Sequence, residues 1–216
     1  MERKYSRSIK NKCDKSLADL GLTVSVVVPH LPSNGQQKLN NLKEALEKQT
    51  VKFGELIIVD KEQCAYKNRN EGWRKAKGDI IWFLDADVVP DRKALEEALK
   101  IFDKRNPDAV EGRIYGTVQR IYKWGFMAGH IFYTKKILET IGGVDEDFCP
   151  GWRGDTDFGW CVMELGGRII YCSDSNAEHP NKSLTRFNLK NEELLRRKHP
   201  KMYAEAKRNN YLGNML

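Results

Sequence analysis

Five apolar residues, Ile80-Ile-Trp-Phe-Leu84, run without a break into Asp85-Ala-Asp87. So short a run, β-branched and aromatic with no polar position for a solvated face, reads as a strand buried on both sides. Two more runs share the pattern: Thr23-Val-Ser-Val-Val-Val28, stopped by Pro29, and Glu55-Leu-Ile-Ile-Val-Asp60. Between the first two, Leu39, Leu42, Ala45 and Leu46 recur at helical spacing and predict an amphipathic helix to about Gln49. A second helix is predicted from about Ala65 to Lys77, stopped by Gly78. Strands alternating with helices predict an α/β fold with a mainly parallel central sheet flanked by helices. Ligands of such sheets bind beyond the carboxyl ends of the strands. Asp60 and Asp85 both stand at such ends, so they are expected on one rim.

The remaining chain continues this organisation. Asp91–Phe102 reads as a helix, and Ala109–Ile121 as strand material interrupted by Gly112 and Gly116. Gly129–Ile141 starts as a strand and becomes a helix, ended by Gly142-Gly143. A loop over Val144–Gly154 leads to a helix from about Asp155 to Leu165, then a strand at Arg168–Tyr171. From Asn188 one or two basic amphipathic helices follow, broken near Pro200. The expected division is a basic tail over 1–20, a main domain over 21–187 and a helical segment over 188–216. With 40% hydrophobic residues in 216, one domain can bury a sizeable core.

Lysine and arginine number 37 against 30 acids, for a formal charge of +7. That surplus suits phosphate-bearing partners: nucleotide sugars, nucleic acid or an anionic membrane face. It does not choose among them, and an ordinary basic surface fits equally. The five cysteines are odd in number and lack a CxxC pair, which argues against a disulfide framework and a cysteine zinc site. Scattered free thiols are expected instead, as in the cytoplasm. No stretch approaches the ~18 apolar residues of a membrane span.

Two carboxylates flanking one small residue at a strand end can point into one pocket and hold Mg²⁺ or Mn²⁺ with oxygen ligands. A solvated acidic turn is the competing reading of DxD, but the apolar strand before it places this pair at the sheet rim. Asp60 can accept from a base or ribose hydroxyl, or cap a turn. Trp124, Trp152 and Trp160 are suited either to stacking on a sugar ring or to the core, with Trp152 the best acceptor-binding candidate. His30 reads as a turn residue. Arg196, Arg197, Lys198 and Lys201 form a solvated helix face or a peripheral contact with a membrane.

The order and spacing of several segments form a recognisable whole: Val24–Pro29, Ile57-Ile-Val-Asp60, an RNxGxxxAxG pattern at Arg69–Gly78, and Ile81–Pro90. Gly129–Gly143 continuing into Val144-Asp-Glu146, and Gly154-Asp-Thr-Asp-Phe158, extend it. Together they resemble the family 2 glycosyltransferases of the GT-A fold over roughly residues 22–180. The resemblance implies an inverting, divalent-metal-dependent transferase of the hexosyltransferase type. Such an enzyme moves a sugar from a nucleotide diphosphate sugar to an acceptor hydroxyl in glycan or cell-surface polysaccharide synthesis. It implies a UDP-sugar donor by family habit, a glycan or lipid-linked acceptor, and no nucleic acid. On the matching positions it implies nucleotide contacts at Pro29, Asp60, Arg69 and Asp85. Mn²⁺ or Mg²⁺ would be held at Asp85, Asp87 and His179, and an acceptor would meet Trp152. Asp155 stands where the family keeps its general base and Asp157 where a second carboxylate lies; a shift in register makes Asp157 the base.

This chain departs from the family in having His30-Leu-Pro32 after the first strand, Lys61 after Asp60, and Gly154 where a glutamate is usual. The departure at Gly154 keeps a non-catalytic nucleotide-sugar-binding relative in view. A nucleotidyltransferase would carry a glycine-rich, lysine-bearing loop, which Pro29–Gly35 lacks. A nucleic-acid-binding protein would interleave basic and aromatic residues where this chain clusters acids.

Overall fold

The three apolar runs lie side by side in the computed structural model, which describes residues 21–31, 35–115, 129–179 and 187–209. β1 (Val24–Pro29) is flanked in parallel by β2 (Glu55–Val59) and β3 (Ile80–Leu84). Helices α1 (Gln36–Glu47) and α2 (Ala65–Lys75) make the crossovers. Every residue of β1 and β3 is buried, as a two-sided strand requires. The tail over 1–20, Pro32, Trp124 and the predicted strand material beyond Tyr115 lie outside the described residues.

Beyond β3 the sheet becomes mixed. β6 (His130–Thr134) pairs antiparallel with β3 and with β5 (Ala109–Ile114). β5 runs parallel to β7 (Ile169–Glu178), and the two-residue β4 (Val89–Pro90) closes that edge antiparallel to β7. The order is therefore β2-β1-β3-β6-β5-β7-β4, parallel in the half where helices make the crossovers. β7 extends well past the expected Tyr171. Ser173-Asp-Ser-Asn176 looks like loop chemistry, and its first three residues do bulge from the ladder: Gly112 of β5 pairs with Cys172 but Arg113 pairs with Asn176, where the strand resumes. Ser175 is fully buried there and donates to Ala94 O at 2.8 Å.

Alternation along the strands divides the core in two. Val26, Trp82, Leu84 and Phe132 face α1 and α3 (Ala94–Arg105). Val27, Ile81, Phe83 and Tyr133 face α2, α4 (Lys135–Ile141) and α5 (Gly154–Glu164). Trp160, fully buried on α5, belongs to this second cluster and is core. So do Leu195 of α6 (Leu189–Lys198) and Ala206 of α7 (Pro200–Arg208), both at 0% exposure. The basic C-terminal helices thus bury apolar positions in the same core cluster as Phe158, Trp160 and Val162 of α5. At Gly72 an added Cβ would stand 2.3 Å from Val27 Cγ1, so glycine is what lets α2 lie this close on β1.

One expectation from composition is overturned: Cys64 and Cys149 form a disulfide, with Cα atoms 5.8 Å apart across 85 residues of sequence. Cys64 caps α2, and Cys149 follows the 3-10 turn Glu146–Phe148. The two segments are already sewn together, since the Asn70 amide donates to Val144 O at 2.7 Å and accepts from Val144 N at 2.9 Å. An odd count could not reveal a pair made by tertiary packing; Cys161 and Cys172 remain free. The free-thiol argument for a cytoplasmic location falls with it. Among the described residues, no helix is long and apolar enough to cross a membrane.

Closing so long a loop restricts the unfolded chain. Cys149→Ser is expected to lower unfolding free energy by ~2–4 kcal/mol. Denaturant midpoints of wild type and variant, with and without reductant, test this; coincident midpoints under oxidising conditions would contradict it.

Candidate active site

Helix α2 carries four consecutive-turn polar side chains, Tyr66, Asn68, Arg69 and Asn70, and buries all of them. Buried polar groups need partners, and each of these finds one on a different segment. Asn68 exchanges hydrogen bonds with the backbone of Glu62 at 3.0 and 2.9 Å, shaping the turn after Asp60. Asn70 holds Val144, as described. The Tyr66 hydroxyl accepts from Gly154 N at 3.1 Å. The Arg69 guanidinium, 4% exposed, donates to Asp85 Oδ1. Helix α2 therefore fixes the positions of the rim of β2, the rim of β3 and the start of α5.

At the end of β3, Ala86 is fully buried while Asp85 and Asp87 are half-buried on either side of it. Asp85 turns to Arg69. Asp87 turns the other way, with Oδ1 3.5 Å from His179 Nε2 and Oδ2 3.6 Å from Lys38 Nζ. The pairing of Val89 with Glu178 is what brings Asp87 and His179 together. Of the three residues expected to share an ion, Asp87 and His179 converge, while Asp85 pairs with Arg69 through Oδ1. An oxygen and an imidazole nitrogen at that spacing fit two ligands of a single Mn²⁺ or Mg²⁺. Asp60 is exposed at the tip of β2, beside the buried Pro29 of β1, on the same rim.

Asp155 and Asp157 sit two positions apart near the start of α5, so about 200° of helical rotation separates them. Asp157, 2% exposed, faces the C-terminal helices, where His199 Nε2 lies 3.0 Å from Oδ1 and Lys198 Nζ 2.8 Å. Asp155 faces α2 and is half-buried. Burial raises its carboxyl above the ordinary range, and the Arg69 charge and the Thr156 N–H, 3.0 Å from Oδ1, oppose that rise. Trp152, just upstream, donates its indole N–H to Glu192 at 3.0 Å, lies under the Arg153 guanidinium and meets Phe187 edge-on.

Gly154 has a steric explanation. A Cβ there would come within 2.6 Å of the Tyr66 ring. Any larger residue would have to displace Tyr66, one turn from Arg69 on the same helix face. Tyr66 could have been suspected from that i, i+3 spacing. Lys38, Glu192 and His199 had no signal in the sequence, because each acquires its partner from a distant segment.

Asp157, Cys161 and His199 also bring their donor atoms within 4.8 Å of one another. Lys198 covers Asp157, and Glu164 lies 3.0 Å from His199 Nδ1. Burial pulls the His199 pKa down, but hydrogen bonds with Asp157, Cys161 and Glu164 outweigh it and raise the pKa from 6.5 to about 10.

A mixed sheet of this order, with carboxylates at the rim and helices on both faces, is the GT-A fold. Residues 40–154, just over half the chain, match the model of glycosyl transferase family 2, and the chain belongs to that family. Glycosyltransferase AglE of Haloferax volcanii is 33% identical over 60 residues, 28% of this chain and 20% of that protein. The structure of S. aureus TarS residues 1–349 in complex with UDP-GlcNAc superposes with a TM-score of 0.72 at 16% identity, covering 89% of this chain and 73% of that one. In another TarS structure the match covers 36% of the longer chain. The mannosyltransferase PcManGT of Pyrobaculum calidifontis, in complex with GDP-Man and Mn²⁺, gives a TM-score of 0.62 at 18% identity over 87% and 64% of the two chains.

The raised pKa of His199 sets a pH dependence of stability. Below its ordinary 6.5 the imidazolium is present folded and unfolded, so its contribution is complete; it is lost as pH climbs through about 10. The stability advantage of wild type over His199→Gln is therefore expected to shrink from neutral pH to about 10. Thermal melts across that range check it, and a constant difference would overturn the assignment.

Proposed function

We propose that this chain transfers a sugar from a nucleotide diphosphate sugar to an acceptor hydroxyl in one displacement, inverting the anomeric carbon. The observation that carries this reading is the disposition of Asp155. Its half-buried carboxylate, raised in pKa, opens α5 facing the same Arg69 that binds Asp85 of the rim. A base and one nucleotide-side acid, Asp85, so share one buried guanidinium. Asp155 takes the proton of the acceptor hydroxyl as that oxygen attacks, and its raised pKa favours this near neutral pH. Asp60 and Asp85 suit contacts to the base and ribose of the donor, with Pro29 beneath.

Asp87 and His179 would hold the divalent ion. When bound, that ion takes up charge developing on the departing diphosphate. Lys38, close to Asp87, is placed to meet a phosphate oxygen. We take UDP-GlcNAc and GDP-mannose as the first donors to test and a glycan or lipid-linked hydroxyl as the acceptor. Exposed Arg196, Arg197 and Lys201 are the residues that would meet an anionic membrane. Gly154 does not argue for a non-catalytic relative, since its space is filled by Tyr66.

Asp155→Asn is expected to keep nucleotide binding and thermal stability while losing transfer by at least roughly a hundredfold. Asp157→Asn should instead lower the melting temperature, because it weakens the pairing with His199 and Lys198. The opposite pattern, Asp157→Asn dead and Asp155→Asn active, would reverse the roles.

Asp87→Ala is expected to abolish the Mn²⁺-dependent part of the thermal shift produced by UDP or GDP, because it deletes an ion ligand. A Mn²⁺-dependent shift of wild-type size in that variant would remove Asp87 from the ion site.

A further inference from the structure

The loop that delivers Asp155 is held in an unfavourable backbone conformation. Trp152 and Arg153 are consecutive non-glycine residues in the left-handed region, at φ 80° and 68°. Each such residue costs on the order of 1–3 kcal/mol and persists only where its surroundings impose it. Arg153 is the residue before α5, and Asp155 is two positions further on. Any relaxation of this pair rotates the first turn of the helix and moves the carboxylate.

Two adjacent residues of α6 impose the conformation. The Glu192 carboxylate, its side chain 8% exposed, accepts three hydrogen bonds. They come from Arg153 Nε at 2.8 Å, Trp152 Nε1 at 3.0 Å and Tyr203 OH at 2.9 Å. The Asn191 amide, fully buried, donates to Phe148 O and Gly151 O at 2.6 Å and to Trp152 O at 3.1 Å. A side-chain acceptor and a side-chain donor from one helix thus fix both the side chains and the carbonyls of residues 148–153. Helix α6 is in turn fastened by Leu195 in the core and by Lys198, which bonds Asp145 at 2.6 Å and Asp157.

We infer that Glu192 is a positioning residue for transfer: it fixes Trp152 and Arg153 in their left-handed turn and so sets the distance and direction from which Asp155 reaches the acceptor hydroxyl. The inference rests on Asp155 being the base, as proposed above. Asn191 acts with it on the backbone side, and Tyr203 of α7 orients the second carboxylate oxygen. The C-terminal helices then form one wall of the catalytic centre, although they contribute no reacting group.

The test compares wild type with Glu192→Ala, Glu192→Gln and, as control, Glu193→Gln, a neighbour exposed on α6. Nucleotide release from UDP-GlcNAc and GDP-mannose gives kcat, titration with UDP and GDP gives Kd, and hydrogen exchange follows residues 150–157. In Glu192→Ala, kcat should fall about 10–100-fold, the loss expected from misplacing a catalytic group by about an ångström. Kd should stay within twofold, and exchange over 150–157 should rise while that of α2 is unchanged. Glu192→Gln, which keeps the shape and one strong acceptor oxygen, should lie between Ala and wild type in both kcat and exchange. Unchanged kcat and exchange in both Glu192 variants would overturn the inference. So would a rise in Kd with kcat preserved, which would make Glu192 a determinant of donor binding. A wild-type protein that neither binds nor turns over a nucleotide sugar would sink the transferase reading instead. Hydrogen exchange would then still decide whether Glu192 holds the loop.

Discussion

A guanidinium removed from water must be matched by carboxylates, and Arg69 is such a group. Burying it costs several kcal/mol that only close acceptors can offset, and leaving it unpaired costs about 3–5 kcal/mol. Its partner Asp85 ends β3, and its field acts on Asp155 at the start of α5. The rim of the parallel sheet and the start of a distant helix are therefore held in mutual register by one charge. Tyr66 and Asn70 on the same helix face add neutral hydrogen bonds to Gly154 and Val144, and the Cys64–Cys149 bridge closes the same seam covalently. Helix α2 is the element through which the two halves of the site are assembled.

The second support comes from the end of the chain. A basic amphipathic helix can be read as a solvated face, and Arg196 and Arg197 fit that description. The inner face is different in kind: Asn191, Glu192, Leu195 and His199 are all buried. Three of these are polar, and their partners are the loop before Asp155 and the side of α5 that carries Asp157. The two acids of the Gly154–Phe158 segment are thereby separated by their partners, one facing α2 and the rim, the other paired with Lys198 and His199. Helical rotation alone requires that they face different neighbours.

Departures from family habit gain physical meaning at close range. Gly154 stands under the Tyr66 ring with no room for a side chain, so its identity follows from packing. Asp85 and Asp87, equivalent in the sequence, are opposite in the structure: the buried Ala86 between them sends one to Arg69 and the other to His179 and Lys38. A pattern of two carboxylates and a spacer cannot by itself distinguish a shared ion from two separate electrostatic tasks.

Local chemistry in the sequence determined the first three strands and their helices, because unbroken apolar runs and 3.6-residue periodicity report burial directly. It also determined that Asp60 and Asp85 stand on one rim, since strand ends in a parallel sheet share an edge. The family resemblance added Arg69, Asp155 and the GT-A fold. What only the tertiary structure decided depends on residues far apart in the chain. β7 continues past its polar stretch because β5 resumes pairing at Asn176 after residues 173–175 bulge out, and Cys64 meets Cys149 because Asn70 brings Val144 to α2. His179 reaches Asp87 through the pairing of β4 with β7. Glu192 and His199 become structural charges only when α6 and α7 fold back on α5. Partners 39 to 92 residues apart leave no periodicity and no local propensity to read; the physics that selects them is the requirement that every buried charge and hydrogen-bonding group find a match.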